Sequence, residues 1–149
     1  MNFKKILMVI FMILGLGLAA GCGGSAASPT PAKSTAQQQA SLSGKKVLIA
    51  YFSWSGNTKA AAEKIQGLTG GDIYRIEAAD PYPGEYDATT DRAKQEQKDN
   101  ARPAIAGKAD LSKYDVIMVG YPIWWYQEPM IIDTFLESGD FSGKTIVPF

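Results

Sequence analysis

The segment from Lys46 to Ile65 constrains the fold more than any other. Lys46-Val47-Leu48-Ile49-Ala50-Tyr51-Phe52 is a near-continuous apolar run rich in β-formers. Such a run suits a strand covered on both faces, the usual state of a parallel sheet. It passes through Ser53-Trp54-Ser55-Gly56-Asn57 into Thr58-Lys59-Ala60-Ala61-Ala62-Glu63-Lys64-Ile65, a strong helix pattern. A tight strand-to-helix turn leaves several backbone N–H groups unpaired at the positive end of the helix dipole. With the hydroxyls of Ser53, Ser55 and Thr58 beside them, these donors form an anion site that needs no cation.

The same alternation continues along the chain. A helix over Thr58–Leu68 is stopped by Gly70-Gly71, and Asp72–Ile76 is short and alternating, as an edge strand would be. A turn at Ala79-Asp80-Pro81-Tyr82-Pro83 leads to a polar helix from about residue 85 to 99, whose few apolar positions mark it as a weakly buried surface element. Ala101 to Lys113 reads as a connecting loop. Tyr114–Tyr121 is the second apolar run and should be central. Pro129 opens a helix with Met130, Ile131, Phe135 and Leu136 inward, and Thr145–Phe149 begins a fourth strand. Strands alternating with helices imply right-handed crossovers and an α/β, doubly wound parallel sheet. In such sheets ligands bind at the carboxyl ends of the strands, where strand order reverses. The first and third strands are the most apolar, so the reversal should lie between them, with loops 53–58 and 122–128 at that edge.

The first loop lacks the lysine of a nucleotide-triphosphate loop, because Lys59 follows the Thr and should point along the helix. It also lacks the three spaced glycines of a dinucleotide fingerprint, having only Gly56. An ordinary turn with a helix N-cap would use similar small polar residues. The run Ser53-x-Ser55-Gly56-Asn57-Thr58, however, resembles at every position the first loop of the flavodoxin family, which binds the phosphate of flavin mononucleotide (FMN). The resemblance implies a flavodoxin-like doubly wound sheet with FMN as cofactor, and assigns Ser53, Trp54, Ser55, Gly56, Asn57 and Thr58 to the phosphate.

The second loop, Gly120-Tyr121-Pro122-Ile123-Trp124-Trp125-Tyr126-Gln127-Glu128-Pro129, is dense in aromatics. Flat aromatic faces can sandwich a planar conjugated ring, although the two Trp could instead cover the end of the sheet. Adjacent residues point differently, so one Trp is expected to face a ligand and the other to face protein. The flavodoxin resemblance assigns Pro122, Ile123, Trp124 and Trp125 to the isoalloxazine. It extends to Tyr82-Pro83-x-x-Tyr86, Asp99-Asn100-Ala101-Arg102-Pro103 and Phe141-Ser142-Gly143-Lys144, which are similar to a bacterial subgroup of flavodoxin-like domains, and so runs from Lys46 to Phe149. A complete relative continues into a further flavin loop, a helix, a fifth strand and a last helix. Four of five strands are therefore expected here, in a sequence that looks truncated, with an apolar edge on the fourth strand, weaker flavin affinity and lower stability.

Residues 1–21 read as an export signal, with Lys4 and Lys5 before the apolar stretch Ile6–Ala20. Leu18-Ala19-Ala20-Gly21-Cys22 resembles a bacterial lipobox, which would make Cys22 the lipidated first residue of a mature, extracytoplasmic protein held at the cell membrane. Residues 22–44 then form a low-complexity tether of Ser, Ala, Pro, Thr, Gly and Gln. As a coil it would span roughly 25 Å. The globular domain is expected over 45–149.

Composition narrows the chemistry. Cys22 is the only cysteine and there is no histidine, which excludes internal disulfides, thiolate metal clusters and His-dependent nucleophilic mechanisms. No metal is expected, and no residue of the chain is singled out as catalytic. Lys4, Lys5 and Lys33 precede the domain, leaving it 12 of the 15 basic residues against all 15 acidic ones, a net charge of −3. That argues against nucleic acid as a partner. The resemblance then implies a membrane-anchored electron carrier or FMN-dependent oxidoreductase serving a redox protein or a quinone. An acidic, aromatic pocket would lower the potential of the bound ring. An FMN-dependent quinone or flavin reductase, or a lipoprotein that captures a ligand without turnover, are the alternatives.

Overall fold

The computed structural model describes residues 42–149. The expected signal segment, Cys22 and the tether as far as residue 41 lie outside the described residues. Among the described residues four strands, β1 (Val47–Tyr51), β2 (Asp72–Arg75), β3 (Val116–Gly120) and β4 (Thr145–Pro148), alternate with three helices, α1 (Asn57–Thr69), α2 (Tyr86–Lys98) and α3 (Met130–Glu137). The sheet is wholly parallel in the order β2-β1-β3-β4. Chain order reverses between β1 and β3, as the apolar runs imply, and the register there carries Tyr51 opposite Gly120.

All five residues of β1 are buried, which explains why its sequence does not alternate. Leu48, Ala50 and Phe52 face one side with Ile117, Val119, Ile131, Ile132 and Phe135, forming the larger core cluster. Val47, Ile49 and Tyr51 face the other with Ala62 of α1 and Val116. The two-residue period of a strand thus divides one apolar run between two cores. β2 and β4 are the edges, and Ile146 on β4 is half exposed.

Helix ends follow local chemistry. α1 ends at Gly70, whose φ of 69° is left-handed and whose N–H bonds the Gln66 carbonyl. α2 buries only Thr89 and Ala93, in keeping with its polar sequence. α3 buries Met130, Ile131, Ile132 and Phe135, while Leu136 is half-buried against the larger core. Among the described residues no helix is long and apolar enough to cross a membrane.

Candidate functional site

β1 delivers the first loop to the switch point. Phe52 N–H bonds the Gly120 carbonyl at 2.9 Å, so the loop leaves the sheet directly beside β3. Ser53 is buried, and its Oγ accepts the Gly56 N–H at 3.1 Å. That bond curls the chain back before α1 begins. Gly56 has a φ of 95°, which an L side chain adopts only under strain, although a Cβ there would meet no atom within 4 Å. The glycine is required by conformation, not by crowding. Ser55, Gly56 and Asn57 are exposed and Thr58 is half-buried. Among the described residues no protein group bonds the hydroxyls of Ser55 or Thr58 or the side-chain amide of Asn57. These groups surround the amino end of a 13-residue helix with no side-chain cap. A helix end left uncapped, with unengaged donors around it, is arranged for an external anion. Lys59 turns away along the helix to Glu63, 3.7 Å distant.

Trp54 points the other way. Its Nε1–H donates to the Pro83 carbonyl at 2.8 Å, and its ring lies 6.3 Å from that of Tyr86. Thr89, buried on α2, also donates to the Pro83 carbonyl, at 2.7 Å. Tyr82, in the same turn, donates to Glu96 at 2.8 Å while Arg92 lies 4.2 Å above its ring. Burial first, and then the Glu96 carboxylate, hold the Tyr82 phenol far above its ordinary pKa. It stays protonated and keeps donating.

The second loop is a closed turn. Trp124 and Gln127 exchange two backbone hydrogen bonds, at 2.8 and 3.2 Å, around Trp125 and Tyr126. Both central residues have positive φ, 48° and 72°, a pattern usually filled by Asn-Gly. Trp124 is half-buried and edge-on to Phe52 and Tyr82, at 5.4 and 5.2 Å between ring centroids. Trp125 lies on α2, donating from Nε1 to the Thr90 carbonyl at 3.0 Å, with the Lys94 ammonium 5.1 Å from its ring. Tyr126 is 97 % exposed and Ile123 is also exposed, whereas Pro122 is half-buried.

Between the loops opens a cavity of about 340 Å³, lined by Trp54, Ile123, Trp124, Trp125 and Tyr126, with a floor of α2 residues including Tyr86, Thr90 and Ala93. It is aromatic, as expected, and among the described residues no carboxylate lines it, in contrast to the acidic pocket expected from the sequence. Asp80 and Glu96 nearby are paired with Arg92 instead. Both Trp of the second loop line the cavity; Trp124 backs onto the core and Trp125 forms the rim. Among the described residues no three His, Cys, Asp or Glu are grouped to hold a metal ion.

A family model described as Flavodoxin matches residues 46–149. The chain belongs to the flavodoxin family. Two solved structures resemble this flavodoxin domain, both at TM-score 0.66. A candidate flavoprotein from Bacteroides eggerthii DSM 20697 is 44% identical, covering 70% of this chain and 69% of its own. Another from Bacteroides uniformis ATCC 8492 is 42% identical, covering 71% of each. A flavoprotein from Lactobacillus acidophilus NCFM, solved in complex with FMN, shares the fold at TM-score 0.60 and 24% identity, over 70% of this chain and 91% of its own. No curated protein matches the chain.

The structure therefore gathers Trp54, Ile123, Trp124 and Trp125 at one cavity, while Ser55, Gly56, Asn57 and Thr58 stand at the adjoining helix end and Ser53 shapes the turn. Sequence reasoning missed the flavodoxin's α2 wall of Tyr86, Thr90 and Ala93. The motif Tyr82-Pro83-x-x-Tyr86 was its only signal. Gly120 was passed over as well: a Cβ there would collide with the Phe149 ring, which lies across the end of β3.

Proposed function

We propose that this chain is an FMN-binding redox protein that serves a partner protein or a quinone and is held at an extracytoplasmic membrane surface through lipidated Cys22. The observation that carries the flavin reading is the uncapped amino end of α1, with the Ser55 and Thr58 hydroxyls and the Asn57 amide unengaged beside an aromatic cavity. The residues present fit the cofactor. A terminal phosphate monoester is a compact dianion that hydroxyls, an amide and helix N–H groups can hold without a lysine. The cavity between Trp54 and the second loop suits a planar ring. The FMN bound to the Lactobacillus acidophilus flavoprotein supports the same choice.

When bound, the flavin supplies reversible electron transfer, for which residues 45–149, lacking cysteine, hold no redox-active thiol. The chain's own tasks are binding and orientation. Ser55, Asn57 and Thr58 would hold the phosphate by charge-assisted hydrogen bonds. Trp124 is braced by Phe52 and Tyr82, so it offers a fixed face. With no carboxylate of the described residues in its lining, the cavity adds no close carboxylate repulsion against electron density on the ring. The exposed rim of Ile123 and Tyr126 leaves the approach open to an electron partner.

The test is a titration of FMN into the purified full chain, followed by quenching of flavin fluorescence, beside a Ser55→Ala/Thr58→Ala double variant. Two charge-assisted bonds at about 1.5–3 kcal/mol each predict at least a hundredfold loss of affinity. Equal affinities would remove the first loop as the phosphate site. Membrane attachment is tested separately: the intact mass of the membrane-extracted protein should show cleavage before Cys22 and a lipid adduct on it, both lost in Cys22→Ser, and an unmodified Cys22 in the parent would refute the anchor.

A further inference from the structure

The aromatic turn of the second loop has a conformation that its own residues do not favour. Trp125 and Tyr126 both sit at positive φ, which bulky side chains seldom tolerate. Something outside the turn must hold it: Phe52 and Tyr82 pack on Trp124, and the hydrogen bonds that reach Trp124 and Trp125 from outside the turn come from α2. Gln97 on α2 donates from Nε2 to the Trp124 carbonyl at 2.8 Å. That carbonyl already accepts the Gln127 N–H, so both of its lone pairs are used. Seven residues earlier on the same helix, the Thr90 carbonyl receives the Trp125 indole N–H at 3.0 Å. The turn and the helix are thus tied in both directions, helix side chain to loop carbonyl and loop side chain to helix carbonyl.

Residues 90 and 97 are two turns apart and lie on the same helix face, the face that carries Ala93 toward the cavity. The helix also fixes the opposite side of the site. Thr89 and Glu96, each one residue earlier, bond the Pro83 carbonyl and the Tyr82 phenol. Tyr82 braces Trp124, and Pro83 receives Trp54. One polar helix, which buries little apolar surface itself, therefore connects to both aromatic walls.

We infer that Gln97 is a positioning residue for the ring half of the ligand: it locks the Trp124–Gln127 turn onto α2 and so sets the faces that a planar ring meets. The inference rests on the flavin reading for the identity of the ring, but not for the lock itself. Gln97 would not touch the ring. It acts through the Trp124 carbonyl and leaves the phosphate loop unchanged.

Two measurements on the full chain test it, with Gln97→Leu removing the donor at similar size and Gln97→Lys restoring a donor of similar reach. In the unliganded protein, Gln97→Leu should speed amide exchange at Trp124 and Gln127 about five- to tenfold, the loss of one hydrogen bond. Exchange in β1 and β3 should speed by no more than the same factor, and the melting temperature should fall by only about 4–8 °C, since the same bond is lost on global unfolding. With FMN, the same variant should weaken binding by a similar factor and alter the visible circular dichroism of the bound flavin, while Gln97→Lys recovers both. Unchanged exchange at Trp124 and Gln127 would overturn the lock. Faster exchange with unchanged affinity and dichroism would overturn the ring-positioning role and leave the flavin reading standing. Failure of the unmodified chain to bind FMN would overturn the flavin reading and with it the ring role, and exchange would still decide whether Gln97 locks the turn.

Discussion

The loops after β1 and β3 meet at the same switch point but are built in opposite ways. The first holds itself with one internal bond, Ser53 Oγ to Gly56 N–H, and leaves Ser55, Asn57 and Thr58 unengaged. The second is satisfied almost everywhere: two backbone bonds close it, Gln97 and Thr90 tie it to α2, and Trp124 wedges between Phe52 and Tyr82. A loop that binds an anion must keep donors unspent, whereas one that presents a flat face must spend its own to stay rigid. Substitutions in the second loop should therefore cost stability, and those in the first should cost mainly binding.

The largest effect follows from Trp124→Ala. It would remove an indole packed on two rings of the larger core, costing about 3 kcal/mol, the low end for a buried aromatic, since Trp124 is only half-buried. Denaturant unfolding would show it as a lower midpoint. A loss under about 1 kcal/mol would mean that the second loop is not anchored as the contacts indicate. Gly56→Ala comes next. With open space around the Cβ and a φ of 95°, its cost is conformational alone, about 1–2 kcal/mol. Because it also displaces the first N–H groups of α1, flavin affinity should fall with stability. Ser55→Ala sharpens the contrast, since its hydroxyl has no partner among the described residues. Its melting curve should match the parent within about 0.5 kcal/mol, even as FMN binding weakens. A clear drop in stability would make Ser55 a structural residue.

These differences were only partly legible in the sequence. The apolar runs at 47–51 and 116–120, the Gly70 stop and the polar turn before α1 are local signals, and the strand order follows from where the apolar runs fall. The bracing of the second loop was hidden because it is made across the fold. Nothing near Gln97 in sequence indicates that its amide reaches Trp124. α2 reads as a solvent helix because the residues it turns inward, Thr89 and Ala93, are small or polar. Propensity also pointed the wrong way at Trp125-Tyr126, where tertiary contacts hold a turn that Asn-Gly would adopt unaided.

The smallest effect concerns the frame around the second loop. Arg102, in the chain after α2, makes a bidentate pair with Glu137 at the end of α3, both bonds 2.8 Å, and lies 3.8 Å from Asp133. The pair is exposed, so its stabilisation is modest. The hydrogen bond from Arg102 holds the Glu137 carboxyl below its ordinary pKa, whereas burial pushes the Asp133 carboxyl up although Arg102 opposes it. The signs then differ. Glu137 contributes stability that is present above its unfolded pKa of about 4.3 and is lost as pH falls through its lowered folded value. Asp133 contributes stability present below its unfolded pKa of about 3.9 and lost as pH rises through its raised value. Near pH 4 the two partly cancel, so melting temperature alone would conceal them. Carboxyl resonances would not. In Arg102→Met both groups lose the cation that lowers them, and both midpoints should rise, Glu137 toward the ordinary range and Asp133 further above it. Two unmoved titrations would mean that Arg102 does not clasp α3 in solution.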